Sequence, residues 1–261
     1  MSAAASPLSL LTGWLPVWRR NFLVWKKLAL PAILGNLADP MIYLLGLGYG
    51  LGKLLPSLDG GQPYVAFLAS GIICSSTMNA ATFEALYSAF SRMHVQKTWE
   101  AILNTPLGMN DLLLGELAWA ASKALLSGAA ILLVVSAMGL TQGGLVLLAL
   151  PAILLTGLAF AALGLICNAL APSYDFFMYY FTLFITPMTL ISGVFFPTDQ
   201  LPGWLATIGG WLPLAQGVAL VRPLLDGQVP DGIPTHVGAL LGLTAVSYCI
   251  ALGLTRRRLM K

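Results

Sequence analysis

Charged side chains are scarce in this sequence. They make up 9% of its 261 residues, whereas hydrophobic residues make up 58%. A soluble domain carries roughly 25% charged residues, so this composition cannot cover a water-facing surface. The mean hydropathy of +0.84 agrees. We therefore predict an integral membrane protein and exclude an ordinary soluble domain.

Sequence signatures of catalysis and metal binding are missing as well. There is no P-loop pattern GxxxxGKS/T, no HExxH and no GxSxG. The cysteines Cys74, Cys167 and Cys249 lie in separate apolar segments without a CxxC pattern, and we interpret them as small buried hydrophobic residues. The sequence thus predicts a chain that is not itself an enzyme, with no catalytic residues, no metal ligands and no cofactor of its own.

Six apolar segments are long enough to cross a bilayer, which takes about 20 apolar residues. They cover about 28–51, 64–83, 112–138, 145–170, 176–194 and 237–254. We therefore predict an all-α integral membrane domain over residues 28–261 with six transmembrane helices. Glycines four residues apart, Gly46 and Gly50 in the first segment and Gly238 and Gly242 in the last, predict close helix packing.

Residues 1–27 combine aromatic and basic side chains and are not hydrophobic throughout. They include Trp14, Trp18, Arg19 and Arg20. Tryptophan and positive charge are typical of helices that lie along lipid headgroups. We predict an amphipathic helix on the cytoplasmic membrane surface, with these four residues at the membrane interface. A disordered tail with aromatic anchors is the alternative.

Basic residues are distributed unevenly between the predicted spans. With the N-terminus inside, ten lie in cytoplasmic regions: four before the first span, two between spans two and three, and four at the C-terminus. The outside regions hold only Lys53 and Arg222. The positive-inside rule therefore places both termini in the cytoplasm, as is usual for inner-membrane proteins. The net charge of +3 follows from this bias, and no nucleic-acid partner is expected.

Residues 84–110 form the longest predicted cytoplasmic connection between spans. This segment holds Arg92, Lys97, Trp99 and Glu100. A bare connector rarely needs so many aromatic and charged groups, so we predict an amphipathic helix that docks another protein. A solvated connector is the alternative.

The segment 195–234 is rich in proline, glycine and tryptophan. Its apolar pieces of about ten residues are too short to cross a membrane. We predict short helices that re-enter or lie on the outer face and cap a cavity. A loose external loop is the alternative.

Ionisable residues inside the spans are few, and such groups are costly in lipid and functional by default. Asp39, which precedes Pro40, is the one expected to lie deep. It could be a substrate or proton site, or it could stabilise a helix broken by proline. Glu84, Glu116 and Lys123 are expected near cytoplasmic helix ends, where they reach water by snorkelling.

Polar and aromatic side chains in two spans suggest a translocation path. Asn79 lies on a polar face of the second span, and Phe177, Tyr180 and Phe181 lie in an aromatic part of the fifth. Together with Asp39 they are the candidate path residues. Hydrogen bonding between helices and aromatic packing are the alternatives, and we favour both over direct contact with substrate.

Several motifs resemble the type-2 ABC exporter permeases. They are WRRNF at 18–22, LADP at 37–40, TWE at 98–100 and ISGVFFP at 191–197. The resemblance covers nearly the whole chain and is most specific for the nodulation protein J branch, the permeases of lipo-oligosaccharide exporters.

This resemblance implies two copies of the chain bound to two copies of a separate ATPase of nodulation protein I type, which would bind ATP and Mg. A coupling helix at about 90–103 would transmit ATPase motion, through Arg92, Lys97, Trp99 and Glu100. The substrate would be an amphipathic, acylated or lipid-linked sugar. An ion-coupled secondary carrier, an exporter of a hydrophobic drug-like molecule and a membrane anchor subunit are the alternatives.

Overall fold

The computed structural model describes residues 12–54 and 63–259, and all regular elements in these ranges are helices. Residues 1–11 of the predicted N-terminal helix and the C-terminal Lys261 lie outside the described ranges. In chain order, the helices used below are α1 (Trp14–Lys26), α2 (Ala29–Gly52), α3 (Tyr64–Val95), α4 (Thr98–Leu103), α5 (Met109–Ala137), α6 (Gly144–Leu170), α7 (Asp175–Ile191), α8 (Gly203–Trp211), α9 (Pro213–Leu225) and α10 (Ile233–Leu259).

The membrane-spanning character predicted from the sequence is confirmed. Within the described residues, α2, α3, α5, α6 and α10 are each long and apolar enough to cross a membrane. The predicted fifth span is the shorter apolar helix α7, whose 17 residues lie at the lower end of the roughly 17–25 that a crossing needs. The predicted pair of short helices is α8 and α9, which meet at an angle of 82°.

The second span continues further than the sequence predicted. It was expected to end at residue 83, but α3 runs to Val95 through two π-helical turns, Glu84–Ser88 and Ser91–Val95. No proline or glycine interrupts this stretch. The chain turns only at Lys97, whose φ of 53° is left-handed. The predicted helix at 90–103 is therefore wrong in extent, because only Thr98–Leu103 forms a separate helix.

Helix α3 is the centre of the bundle. Of its most apolar 18-residue stretch, 78% is buried, whereas only 6% of the most apolar stretch of α2 is buried.

Close helix contacts depend on glycines other than the predicted ones. A Cβ placed on Gly164 of α6 would lie 2.7 Å from the Cβ of Ala85. In contrast, nothing described lies within 4 Å of such an atom at Gly46, Gly50, Gly238 or Gly242. The predicted packing role of those four glycines is therefore not met within one chain.

Two ends of the bundle can be told apart by their contacts. At the first, called the basic end, five segments meet: α1, α4, the last turns of α3, the start of α5 and the end of α10. There Arg258 of α10 donates hydrogen bonds to the carbonyls of Asn168 and Ala169 of α6. At the other end, the connection after α5 meets α9, where the amide of Gln142 donates to the carbonyl of Leu225 at 2.7 Å.

Candidate functional site

A buried ion-pair network joins α3 to α5 at the basic end. Arg92 Nη1 lies 2.9 Å from Glu84 Oε1, and its Nε donates to Glu116 Oε1 at 3.0 Å. Lys123 Nζ lies 2.8 Å from Glu84 Oε2. The two glutamates are only 3% and 2% exposed. The prediction that they reach water by snorkelling is wrong, because the cations neutralise them in place.

The same carboxylates bind neighbouring helices. Glu116 Oε1 accepts hydrogen bonds from Trp99 Nε1 of α4 at 3.1 Å and from Asn21 Nδ2 of α1 at 3.2 Å. Glu84 Oε1 accepts one from Trp119 Nε1 at 2.9 Å. Hydrogen bonds to a charged acceptor contribute roughly 1.5–3 kcal/mol each. The network therefore fixes α1 and α4 to the two spans that carry its charges.

The four residues predicted for ATPase coupling fall into two groups. Arg92 and Trp99 are buried in the network. Lys97 and Glu100 are exposed and form an ion pair of 2.7 Å on the outer side of α4. Arg92 and Trp99 connect α4 to the spans, whereas Lys97 and Glu100 are accessible to a protein that docks there. A direct role in coupling stays a prediction.

A cavity of about 470 Å³ opens between α2, α3, α5 and α7. Its polar lining comes from Asn36, Asp39, Ser75, Ser76, Asn79, Ser127, Thr186 and Thr189. Its aromatic lining comes from Tyr43, Phe83 and Phe195. The cavity is therefore amphipathic, with a carboxylate, two carboxamides and several hydroxyls facing aromatic rings.

Two of the predicted path residues, Asp39 and Asn79, line this cavity. Among the described residues, neither side chain has a hydrogen-bond or ion-pair partner. The serines differ, since Ser76 and Ser127 hydrogen-bond to each other across α3 and α5 at 3.2 Å. The interhelical bonding expected of the polar face thus holds for Ser76, and Asp39 and Asn79 are left open to a ligand.

The predicted aromatic path residues lie elsewhere. Phe177 is completely buried and packs edge-on against Tyr87 and Phe90, with ring centroids 5.1 and 5.2 Å apart. Tyr180 is buried as well. Phe181 stacks at 4.6 Å on Phe83, which lines the cavity. Phe177 and Tyr180 therefore fit the alternative of aromatic packing. Phe181 does not line the cavity but packs against Phe83, which does.

The aromatic residues predicted for the membrane interface face the protein. Trp18 Nε1 donates to Ser122 Oγ of α5 at 3.0 Å, and its ring stacks on Phe22 at 5.5 Å. Trp14 is half-buried, whereas Arg19 is exposed. Arg20 Nη2 donates to Thr98 Oγ1 at the start of α4 at 3.4 Å. The sequence identified the helix correctly but not the face that packs.

Comparison with known proteins decides the family. Residues 13–225 match the family model described as ABC-2 type transporter. The chain belongs to the ABC-2 type transporter family. It is 52% identical to nodulation protein J of Rhizobium leguminosarum bv. viciae, over 95% of this chain and 96% of that protein.

More distant relatives give the same assignment. Nodulation protein J of Bradyrhizobium diazoefficiens is 47% identical over 95% of each chain. The inner membrane transport permease YadH of Escherichia coli is 22% identical over 94% of this chain and 93% of that protein. The chain is therefore a multi-pass membrane permease subunit, and its family implies partnership with an ABC ATPase.

At the end of the permease away from the network, Arg222 holds the bent helix pair. Its Nε donates to Ser70 Oγ of α3 at 2.9 Å, and its Nη2 donates to the Gly193 carbonyl at 2.6 Å. The guanidinium lies 3.7 Å from the ring centroid of Phe67. The sequence placed Arg222 in an outer segment and gave no sign of these partners, which come from α3 and from the turn after α7.

Proposed function

We propose that this permease exports an amphipathic, lipo-oligosaccharide-like or lipid-linked substrate through the cavity between α2, α3, α5 and α7. The observation that carries the proposal is that Asp39 and Asn79, which have no side-chain partner within residues 12–54 and 63–259, line the same cavity as several aromatic rings. A carboxylate and a carboxamide can hydrogen-bond sugar hydroxyls and amides. Aromatic faces suit the apolar part of the molecule.

Energy would come from a separate ATPase, which would bind ATP and Mg itself. The exposed outer side of α4, with Lys97 and Glu100, is the proposed docking surface. Movement of α4 would reach the spans through the hydrogen bond from Trp99 to Glu116 and the ion pair with Arg92. The relatives named nodulation protein J support an ATPase of nodulation protein I type.

The proposed assembly contains two permease chains and two ATPase chains. Helix α2 supports pairing of the permease, because its apolar surface is almost entirely unburied within one chain. Its exposed side chains include Leu34, Ile42, Leu45 and Tyr49. A second copy or lipid must cover them. We further propose that the assembly lies in a bacterial inner membrane with both termini in the cytoplasm, as the excess of basic residues at the basic end favours.

The proposal is tested by reconstituting the permease with its ATPase in vesicles. An acylated oligosaccharide should stimulate ATP hydrolysis and accumulate in the compartment away from the ATPase. The unacylated sugar and the free fatty acid serve as matched probes, and each should stimulate less. Equal stimulation by all three, or by none, would contradict the substrate assignment.

A second candidate function rests on Asp39 alone. A carboxylate that lacks an ion-pair partner among the described residues and faces a cavity could take up a proton or cation. The permease would then act as an ion-coupled carrier. Uptake into vesicles by this chain alone, driven by a proton gradient without ATP, distinguishes this function from the first.

A further inference from the structure

The outward face of α1 carries a shallow furrow of about 550 Å³. Its residues recur at helical spacing, so they share one face of the helix. The furrow combines exposed aliphatic side chains with three cations, namely Leu15, Leu23, Val24, Arg19, Arg20 and Lys27. The tryptophans of α1 do not contribute, because Trp18 faces α5.

The cations of this furrow lack acidic partners. Helix α1 contains no aspartate or glutamate. Across the described chain, no carboxylate lies within ion-pair distance of Arg19, Arg20 or Lys27. Arg20 donates only to neutral oxygens, to Asn21 Oδ1 at 3.0 Å and Thr98 Oγ1 at 3.4 Å. The furrow therefore carries uncompensated positive charge.

The electrostatic surroundings of Arg20 disfavour its positive charge. Burial lowers the pKa of the Arg20 guanidinium, and the neighbouring Arg92 lowers it further, against a smaller opposite effect of Glu116. A negative group near a cation stabilises the charged form. An anion in the furrow would thus compensate a charge that the described residues leave unpaired.

The apolar side of the furrow continues into the membrane-spanning part. Leu28 and Leu30, at the junction with α2, are 65% and 70% exposed. An aliphatic surface therefore leads from Leu23 and Val24 to the first span. A soluble anion would use only the three cations, whereas a molecule with an acyl chain would cover both parts.

We propose that the furrow is a binding site for an anionic phospholipid. Arg19, Arg20 and Lys27 bind the phosphate and headgroup, and an acyl chain lies over Leu23 and Val24. The site does not overlap the cavity that contains Asp39. It also does not depend on the substrate or the ATPase partner.

Native mass spectrometry of the purified full-length chain tests the site, with phosphatidylglycerol and phosphatidylcholine titrated separately. The double variant R19Q/K27Q removes two furrow charges and leaves Arg20 and its bond to Thr98 intact. Because one basic residue near an anionic surface contributes about fivefold in affinity, phosphatidylglycerol binding should weaken roughly 25-fold. Phosphatidylcholine binding should not change.

The matched control is R256Q/R257Q, which removes two exposed arginines at the end of α10. It should retain the phosphatidylglycerol affinity of the parent chain. Equal weakening in both double variants would show general charge attraction and overturn the site. So would unchanged binding in R19Q/K27Q. Binding of soluble glycerol phosphate as tight as that of the lipid would overturn the acyl-chain part and assign a free-phosphate site.

Discussion

Arg92 of α3 and Glu116 of α5 form a bidentate ion pair, in which Arg92 Nε donates to Glu116 Oε1 at 3.0 Å and Arg92 Nη2 donates to Glu116 Oε2. The pair is buried, and the same carboxylate holds Trp99 of α4. A buried charge that loses its partner is strongly unfavourable. This relationship makes the basic end of the permease sensitive to single substitutions.

Removing either partner should therefore destabilise the permease. Glu116→Ala leaves Arg92 with Glu84 alone, and we expect a loss of about 3–5 kcal/mol, the usual cost of breaking a buried ion pair. Thermal unfolding in detergent, followed by fluorescence, measures the effect. The exposed pair of Lys97 and Glu100 is the control, since Glu100→Ala should cost no more than about 1 kcal/mol. Similar losses in both variants would contradict the role of the network.

The hydrogen bond from Trp99 to Glu116 should be needed for coupling more than for folding. Trp99→Phe keeps most of the buried ring and removes the Nε1 donor, at a cost of about 1.5–3 kcal/mol for a bond to a charged acceptor. In reconstituted vesicles, ATP hydrolysis should continue while substrate stimulation falls. Trp211→Phe, which changes a highly exposed tryptophan of α8, is the control. Unchanged stimulation in Trp99→Phe would exclude this route of coupling.

Substitutions of residues that line the cavity should change the response to substrate and not the stability. Asp39→Asn should raise the substrate concentration for half-maximal ATPase stimulation roughly tenfold to hundredfold, because Asp39 offers a charged acceptor. Asn79→Ala should raise this concentration less. Unfolding temperature should hardly change, because neither has a described partner to lose.

Phe177→Ala should behave in the opposite way. A fully buried Phe replaced by Ala costs about 3–5 kcal/mol in stability, while the residual folded permease should keep its substrate response. A shifted half-maximal concentration in Phe177→Ala, with no loss of stability, would return this residue to the translocation path.

Glycine substitutions separate contacts within one chain from contacts between chains. Gly164→Ala brings a methyl group against Ala85 and should cost about 1–3 kcal/mol through overpacking. Gly242→Ala meets nothing described within 4 Å and is the control in monomeric detergent complexes. If Gly242→Ala destabilises the monomer as much as Gly164→Ala, the packing described for α10 is incorrect.

The sequence predicted the spans well because apolar runs of sufficient length have few alternatives in a membrane protein. It failed where tertiary contacts reverse a local signal. Glu84 and Arg92 suggested the end of a helix, yet they pair with each other, and Glu116 and Lys123 complete the charge balance, so the helix continues. Composition alone cannot show that two distant charges meet.

The candidate site shows the same limit. The sequence selected Asp39 and Asn79, because polar groups are rare in apolar spans, and both line the cavity. It also selected Phe177, because aromatic residues suit a sugar or lipid path, but such residues are equally suited to packing. The predicted orientation of the tryptophans of α1 was wrong for a related reason. Tryptophan suits both a headgroup layer and a helix contact, and only the position of α5 decides between them.

The length of α3 has a mechanical consequence. Its 32 residues span about 48 Å at roughly 1.5 Å per residue, well beyond a hydrocarbon layer of about 30 Å. Because α3 is longer than the layer that it crosses, a tilt of the helix that moves its end at Val95 also moves Asn79, which lines the cavity. The two π turns, Glu84–Ser88 and Ser91–Val95, lie between Asn79 and the basic end of α3, and π turns inside α-helices are frequent at functional sites.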